Sequence, residues 1–261
     1  MPPLTDISSV LTLLLGISGL IWILDAALLR ARRRGAAHGA AVKQPLLVKY
    51  ARSFTPVLVI VLLVRCFVFE PFRIPSASMM PGLKDGDFIF VNKYRYGLRL
   101  PLVNTKIMPT GNPERGDVIV FRLPSDPAIH FIKRLIGLPG DHIVVKDNHV
   151  FINGAQIGQR PGGLYQGGDG FSGSDLAIET LGDKHHLIML APDRPATDFD
   201  AVVPDSHYFF MGDNRNDSAD GRFALVGFVP EENLLGPATR IGLNYRLNHW
   251  ANWRRAWMPI S

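Results

Sequence analysis

One apolar stretch dominates the architecture: residues 54–69 read FTPVLVIVLLVRCFVF and carry a single charge, Arg65. A helix needs about 20 mostly apolar residues to cross a bilayer. The run reaches that length with its flanks, over residues 52–71, and Arg65 lies near the far end, where a long cationic side chain can reach the interface. We therefore predict a membrane-spanning helix over residues 53–70. The alternative is a buried core helix, which the shortness of the run allows.

A second apolar run precedes this one, over residues 7–24, and has no charged side chain before Asp25. A cleavable signal peptide is the alternative to an anchor here. However, residues 1–6 contain no Lys or Arg, and no convincing small-residue cleavage site occurs before Arg30. We therefore expect residues 1–29 to be a retained first transmembrane anchor.

The basic residues are concentrated between the two runs. The chain has a formal net charge of +5, but residues 30–52 hold seven Lys or Arg and no acid, and residues 71–261 are neutral overall. The basicity therefore belongs to a short loop, which argues against a nucleic-acid partner. The positive-inside rule makes residues 30–52 cytoplasmic. It places the N-terminus and residues 71–261 on the outer side.

Short β-rich segments dominate residues 71–261. Strands are predicted at 86–91, 116–121, 131–136, 140–145, 149–152, 208–211 and 239–243. Lys146-Asp147-Asn148-His149 is typical of a hairpin turn. Seven glycines indicate an exposed loop over residues 158–175, where the dinucleotide-type pattern of residues 168–173 lacks a flanking strand and helix. We predict a mostly β outer domain of folded antiparallel sheets or a barrel.

Two amino-acid patterns narrow the chemistry. Cys66 is the only cysteine, so no intrachain disulfide can form. No Gly-x-Ser-x-Gly or His-Glu-x-x-His pattern marks a triad or a zinc site. We therefore expect neither a metal nor a cofactor. The histidines show no catalytic signature: His38, His130, His142, His149, His185, His186, His207 and His249.

A lysine can serve as a base instead if burial makes it neutral at working pH. Residues 131–136, Phe-Ile-Lys-Arg-Leu-Ile, offer one on an apolar strand. With a period of two, Phe131, Lys133 and Leu135 share one face and Arg134 lies on the other. The pattern leaves open which of the two basic residues is buried, although arginine stays charged and cannot act as a base. A surface salt-bridge lysine is the alternative.

Two serines follow the second apolar run, in Ile74-Pro75-Ser76-Ala77-Ser78-Met79-Met80-Pro81. Serine beside proline is usually a turn or cap residue. Three segments in one order favour a catalytic reading: Ser76-Ala77-Ser78-Met79, then Lys133-Arg134, then Gly212 to Asp220, read as GDNRNDSAD.

Together these segments make the chain resemble bacterial signal peptidase I, the membrane-bound leader peptidase. The resemblance implies a serine endopeptidase that removes signal peptides from exported preproteins at Ala-x-Ala-like sites. It implies Ser78 as nucleophile, Lys133 as general base, the Ser78 N–H with the Ser76 hydroxyl as oxyanion hole, and Ser218 to orient the lysine. It also implies supporting roles for Asp213, Asp220 and Arg222, and groove walls at Phe72, Ile74, Pro75, Phe131 and Ile132.

The implied location is the bacterial inner membrane, with the preprotein and the lipid bilayer as partners. Three other readings remain open. The chain can be a Ser-Lys peptidase specialised for one secretion substrate, a membrane-anchored β-domain that only binds, or a Ser-His hydrolase. Three Trp residues near the C-terminus, Trp250, Trp253 and Trp257, with Arg254 and Arg255, predict either core tryptophans with a solvated face or an interfacial belt.

Overall fold

The chain forms two compact units, Met1–Val68 and Phe69–Ser261. The first is helical and the second is almost entirely β-structure. The computed structural model describes residues 7–29, 45–67, 69–99, 106–167, 170–191, 193–245 and 253–260.

The described residues of the first unit form two apolar helices. Helix α1 is Ile7–Leu24 and continues as a π-helical turn, Asp25–Leu29, while helix α2 is Leu46–Phe67. Both contain a window long and apolar enough to cross a membrane, with mean hydropathy 2.1 and 1.8. The prediction of two such helices is confirmed.

Helix α2 begins earlier than the span predicted from the apolar run alone. Its first turn is anchored by the Pro45 carbonyl, which accepts hydrogen bonds from Val48 N at 3.0 Å and Lys49 N at 3.1 Å. Residues 46–52, assigned above to the basic loop, are therefore helical, and residues 30–44 lie outside the described residues. The helix ends at Phe67, and the first strand begins at Phe69.

The strands of the second unit are β1 Phe69–Arg73, β2 Asp87–Asn92, β3 Leu98–Arg99, β4 Lys106–Met108, β5 Val118–Leu123, β6 Asp126–Gly137, β7 His142–Lys146, β8 His149–Ile152, β9 Ala155–Gln156, β10 Gly158–Leu164, β11 Asp175–Leu181, β12 Lys184–Leu190, β13 Phe199–Val202, β14 His207–Met211, β15 Val229–Pro230 and β16 Leu234–Asn244. Single-turn 3₁₀ helices occur at Glu231–Asn233 and Trp253–Arg255.

The largest sheet has seven strands in the order β1-β2-β16-β5-β6-β14-β15, with antiparallel neighbours. Smaller antiparallel sheets have the orders β13-β7-β8-β9, β10-β11-β12 and β3-β4. Strand β5 is buried on both faces, because Val118 and Val120 join one core cluster and Ile119 and Phe121 another. The predicted fold of antiparallel sheets is confirmed.

The Gly-Asp turns position three strands as the sequence indicates. Gly86, Gly116 and Gly140 have φ of 85°, 83° and 85°, a left-handed conformation that favours glycine. The 146–149 hairpin is also confirmed, since Lys146 pairs with His149 and the two residues between them have positive φ.

Two other expectations need comment. The predicted loop at 158–175 is wrong for its first part, because Gly158–Leu164 is an edge strand paired with β11. Backbone pairing at an edge tolerates glycine and proline. In the C-terminal segment, Trp253 and Trp257 are 71% and 65% exposed, so neither is a core residue. Arg255 instead pairs with buried Asp87 at 2.7 Å, and Trp250 lies outside the described residues.

Candidate active site

Ser78 lies in a chain of turns that follows β1. The segment is held from both sides, since Ile74 N donates to Asp87 O at 2.8 Å and Leu83 N donates to Met79 O at 2.9 Å. Ile74 and Met79 insert into the same core cluster. The apolar residues flanking the serines therefore fix the turn, and Ser78 ends up buried while Ser76 is exposed.

Lys133 reaches Ser78 from the middle of β6. Its Nζ lies 2.5 Å from Ser78 Oγ, and its side chain is held on a strand that pairs with β5 through Lys133 and Ile119. The residue is 3% exposed. Sequence analysis singled out these two residues, and the structure brings them into direct contact.

Burial lowers the pKa of Lys133 to about 8, because water no longer solvates its charged form. The carboxylates of Asp220 and Asp213 act in the opposite direction and keep the pKa from falling further. The ring of Phe131 lies beside the amine, with its centroid 5.3 Å from Nζ. A substantial fraction of this lysine is therefore neutral near pH 8, as a general base requires.

Arg134 is buried as well: the sequence pattern left open which of the two basic residues is buried, and in the structure both are. Arg134 lies on the opposite face of β6, where Asp213 covers it: Nε and Nη2 donate to the two carboxylate oxygens at 2.8 and 2.7 Å. Its Nη1 donates to Gly116 O at 2.8 Å. The sequence alternation does not reveal this partner because it lies 79 residues away.

Besides the turns that carry Ser78 and strand β6, the site includes the loop from Gly212 to Arg222. Ser218 Oγ is buried in it and has no hydrogen-bond partner among the described residues, including Lys133. A Cβ on Gly212 would lie 2.1 Å from Ser218 Oγ and 2.6 Å from Ser78 O. The absence of a side chain at position 212 therefore lets the loop approach the Ser78 backbone.

Asp220 and Arg222 form a buried ion pair at the end of this loop. Arg222 Nε and Nη2 donate to Asp220 Oδ1 and Oδ2 at 2.8 and 2.9 Å. Asp220 Oδ2 also accepts a hydrogen bond from Gly212 N at 2.9 Å, and Arg222 Nη2 donates to Arg215 O at 2.6 Å. The pair therefore ties the two ends of the loop together.

Two further groups contact the Ser78 segment. Ser76 Oγ lies 3.3 Å from Ser78 Oγ. On the other side, Asn214 N donates to Ser78 O at 3.1 Å and Asn214 Nδ2 donates to Ala77 O at 3.2 Å.

The expected groove walls are only partly assembled into one surface. Phe72 packs against the cluster that contains Ile74 and Ile132, and its ring meets His130 edge-on at 5.4 Å. Phe131 lies on the other face of β6 and packs against a different cluster. Pro75 is exposed. Adjacent positions of a strand face opposite ways, which explains why Phe131 and Ile132 separate.

Gly212, Asn214 and Arg134 are the residues of this site that sequence reasoning did not assign. Gly212 and Asn214 stand inside a quoted motif, so their position was a signal, but their contacts depend on how the loop folds over residues 77–78. Among the described residues, no three His, Cys, Asp or Glu side chains converge in a way that would hold a metal ion.

Comparisons with known proteins found similar sequences and a similar structure. The sequence profile of the family described as "Signal peptidase, peptidase S26" matches residues 47–242. A signal peptidase I of Pseudomonas fluorescens is 40% identical over 273 residues, covering 94% of this chain and 95% of the relative. That of Pseudomonas aeruginosa is 40% identical over 270 residues, covering 90% and 91%.

A solved signal peptidase I structure from Enterococcus faecalis V583 covers 49% of this chain and 97% of its own, at 27% identity and a TM-score of 0.33. The profile match and the two relatives extend over most of the chain. The chain therefore belongs to the signal peptidase I family of serine peptidases, peptidase S26.

Proposed function

We propose that this chain cleaves N-terminal signal peptides from exported preproteins, with Ser78 as nucleophile and Lys133 as general base. The observation that carries the proposal is the 2.5 Å contact between Ser78 Oγ and the buried Nζ of Lys133. A serine is a weak nucleophile until an adjacent base accepts its proton, and a lysine is a base only when neutral. The pKa of about 8 supports that role.

The reaction proceeds in two halves. Neutral Lys133 takes the proton of Ser78 Oγ as the oxygen bonds to the scissile carbonyl carbon. The protonated lysine then gives that proton to the leaving amine, the C–N bond breaks, and the signal peptide remains as an ester on Ser78. Lys133 next takes a proton from water, which attacks the ester carbonyl. The ester bond breaks, the proton returns to Ser78, and the signal peptide leaves.

The developing oxyanion is held by the Ser78 N–H and the Ser76 hydroxyl. Support comes from the 3.3 Å separation of the two serine oxygens. Among the described residues, none accepts a hydrogen bond from the Ser78 N–H. Such preorganised donors act where charge appears in the transition state.

The loop from Gly212 to Arg222 supports the dyad. Family resemblance gives Ser218 the role of orienting the Lys133 amine; its hydroxyl is buried in this loop but makes no hydrogen bond to Lys133 in this structure. The Asp220–Arg222 pair holds the loop that carries Ser218. The carboxylates of Asp220 and Asp213 raise the pKa of Lys133 and so partly offset the effect of burial.

The proposed substrate groove draws on Phe72, Ile74, Pro75, Phe131 and Ile132, of which Phe72, Ile74 and Ile132 share one cluster and Phe131 lies on the other face of β6. These apolar walls suit a small-x-small, Ala-x-Ala-like cleavage site. The position of Ser78 in the chain suits a membrane-embedded substrate, because Ser78 follows the end of α2 by eleven residues. We propose that α1 and α2 span the bacterial inner membrane, with the N-terminus and residues 71–261 on the outer, periplasmic side.

The test is cleavage of a signal-peptide-bearing preprotein by the full chain in lipid vesicles. Ser78→Ala and Lys133→Met are expected to lose cleavage. Ser125→Ala and Lys146→Met are matched controls at exposed positions and should cleave normally. Normal cleavage by either dyad variant would contradict the assignment.

A panel of preproteins separates the remaining alternatives. Cleavage of one substrate alone identifies a specialised peptidase. A wild-type chain that binds preproteins without cutting them identifies a binding domain, and loss of cleavage in a His→Ala variant but not in Lys133→Met identifies a Ser-His hydrolase.

A further inference from the structure

A buried charge cluster lies outside the proposed dyad and links a second sheet to the same loop. Glu179 on β11 and His186 on β12 are cross-strand partners. The Glu179 carboxylate is hydrogen-bonded to Arg215 Nη2, and His186 Nε2 lies 3.2 Å from Glu179 Oε2. All three side chains are buried. The cluster, defined as Glu179, His186 and Arg215, thus joins the β11–β12 hairpin to the Gly212–Arg222 loop.

Glu179 remains ionised in this environment. Burial alone would raise its pKa, but the charge and hydrogen bond of Arg215, together with His186, lower it to about 2. A buried ion pair of this kind is weak evidence for stability, because removing two charges from water costs much of what their attraction supplies. Stability alone therefore does not explain why these three charged side chains are buried together.

The backbone around Arg215 leads directly to Ser78. Arg215 N donates to Met189 O at 3.0 Å and Met189 N donates to Asp213 O at 2.8 Å, so β12 clamps the loop on both sides of Asn214. Asn214 then holds Ser78 O through its N–H and Ala77 O through its side chain. Arg215, which carries the anchored guanidinium, is therefore the next residue after Asn214, which contacts the nucleophile segment.

We infer that Glu179, His186 and Arg215 are positioning residues, which set the place of Ser78 through Asn214. The inference rests on the proposed role of Ser78 as nucleophile and extends the machinery to the β11–β12 hairpin. The anchor fixes Arg215. Arg215 and Met189 fix Asn214, and Asn214 fixes the carbonyl groups on either side of the Ser78 Cα. None of the three cluster residues touches the reacting atoms.

The test uses Glu179→Gln and Arg215→Met in the full chain, with kcat and KM measured on a preprotein. Each variant is expected to lower kcat by about tenfold or more, because misplacing a reacting group by about 1 Å can cost on the order of 10²-fold. KM should stay within about twofold of wild type, since the proposed groove lies on β1, the two residues after it and β6, away from the cluster.

The two variants also separate positioning from electrostatics. Glu179→Gln removes a negative charge and Arg215→Met a positive one, so an effect through the charge on Lys133 would move the acid limb of the pH–rate profile in opposite directions. A positioning role instead predicts a lower kcat in both variants, without opposite shifts of the acid limb. Asp141→Asn, which breaks the Arg115–Asp141 pair outside this loop, is the control for general destabilisation and should leave kcat unchanged.

If either variant fails to fold, Glu179→Asp and Arg215→Lys keep both charges and change only the geometry of the anchor; a reduced kcat at unchanged KM is again expected. Wild-type kcat in the folded cluster variants, together with an inactive Ser78→Ala, would overturn the positioning role and leave the proposed function standing. An active Ser78→Ala would overturn the proposed function itself.

Discussion

Lys133 Nζ lies 2.5 Å from Ser78 Oγ although 55 positions separate the two residues in the chain. Ser78 follows β1 and Lys133 lies on β6, and these two strands are not neighbours. Strands β2, β16 and β5 lie between them in the sheet. The contact arises because the turns after β1 carry Ser78 to β6. The same arrangement buries the lysine, and burial is what lowers its pKa.

The rate of cleavage should fall as the pH drops below about 8. Activity requires neutral Lys133, whose pKa is lowered to about 8, so acidification converts the base to an inactive ammonium. The measurement is kcat against pH on a preprotein, with folding checked at each pH. A rate that stays level down to about pH 5 would show that no desolvated lysine acts as the base.

Lys133→Met should stabilise the fold near neutral pH. The pKa of Lys133 in the folded state, about 8, lies below its ordinary value of 10.5, so the unfolded chain binds more protons between these two pH values. Stability of the wild type therefore rises with pH through this window, and the penalty, about 3 kcal/mol at most, is complete below it. Denaturant unfolding of both proteins at pH 7 and pH 11 measures this. An equal difference at both pH values would argue against the lowered pKa.

Gly212→Ala should abolish most of the activity. The new Cβ would lie 2.1 Å from Ser218 Oγ and 2.6 Å from Ser78 O, so the loop or the Ser78 backbone must move. We expect a loss in kcat of about 10²-fold or more. Gly158→Ala is the matched control, because its Cβ meets Thr180 at an ordinary 3.5 Å. Similar kcat values for the two variants would show that the close approach at residue 212 is unimportant.

Asp220→Asn and Arg222→Met should shift the pH–rate profile in opposite directions. The Asp220 carboxylate raises the pKa of Lys133, so its neutralisation should move the acid limb to lower pH. Removing the Arg222 cation leaves that carboxylate uncompensated and should move the limb to higher pH. Profiles of both variants beside wild type test this, and shifts of the same sign would contradict the electrostatic role of Asp220.

Ser76→Ala should lower kcat with little change in KM. Loss of one oxyanion donor typically costs on the order of 10²–10³-fold in rate. Ser76→Thr keeps a hydroxyl and is expected to retain more activity than Ser76→Ala. Equal activity of Ser76→Ala and wild type would remove Ser76 from the oxyanion hole.

The local amino-acid pattern was sufficient to predict several secondary-structure elements of this protein. The two apolar helices follow from uninterrupted hydrophobic runs, and strands such as β5 and β7 follow from Gly-Asp turns feeding β-branched residues. These features depend on neighbouring residues only, which is why they can be predicted. The pairing of Ser78 with Lys133 followed from a family resemblance carried by three separated segments, and spacing alone left both residues open to structural readings.

The remaining features depend on packing between residues that are distant in the sequence. Alternation along β6 offered one buried basic residue, but both are buried, because Asp213 arrives from 79 residues away to neutralise Arg134. The glycines at 158–164 suggested a loop, yet β11 supplies the partner that makes them a strand. Gly212 and Asn214 gain their contacts only when their loop folds over Ser78. Burial and charge pairing depend on residues distant in sequence, so the pKa of Lys133 is a property of the folded chain and not of its own segment.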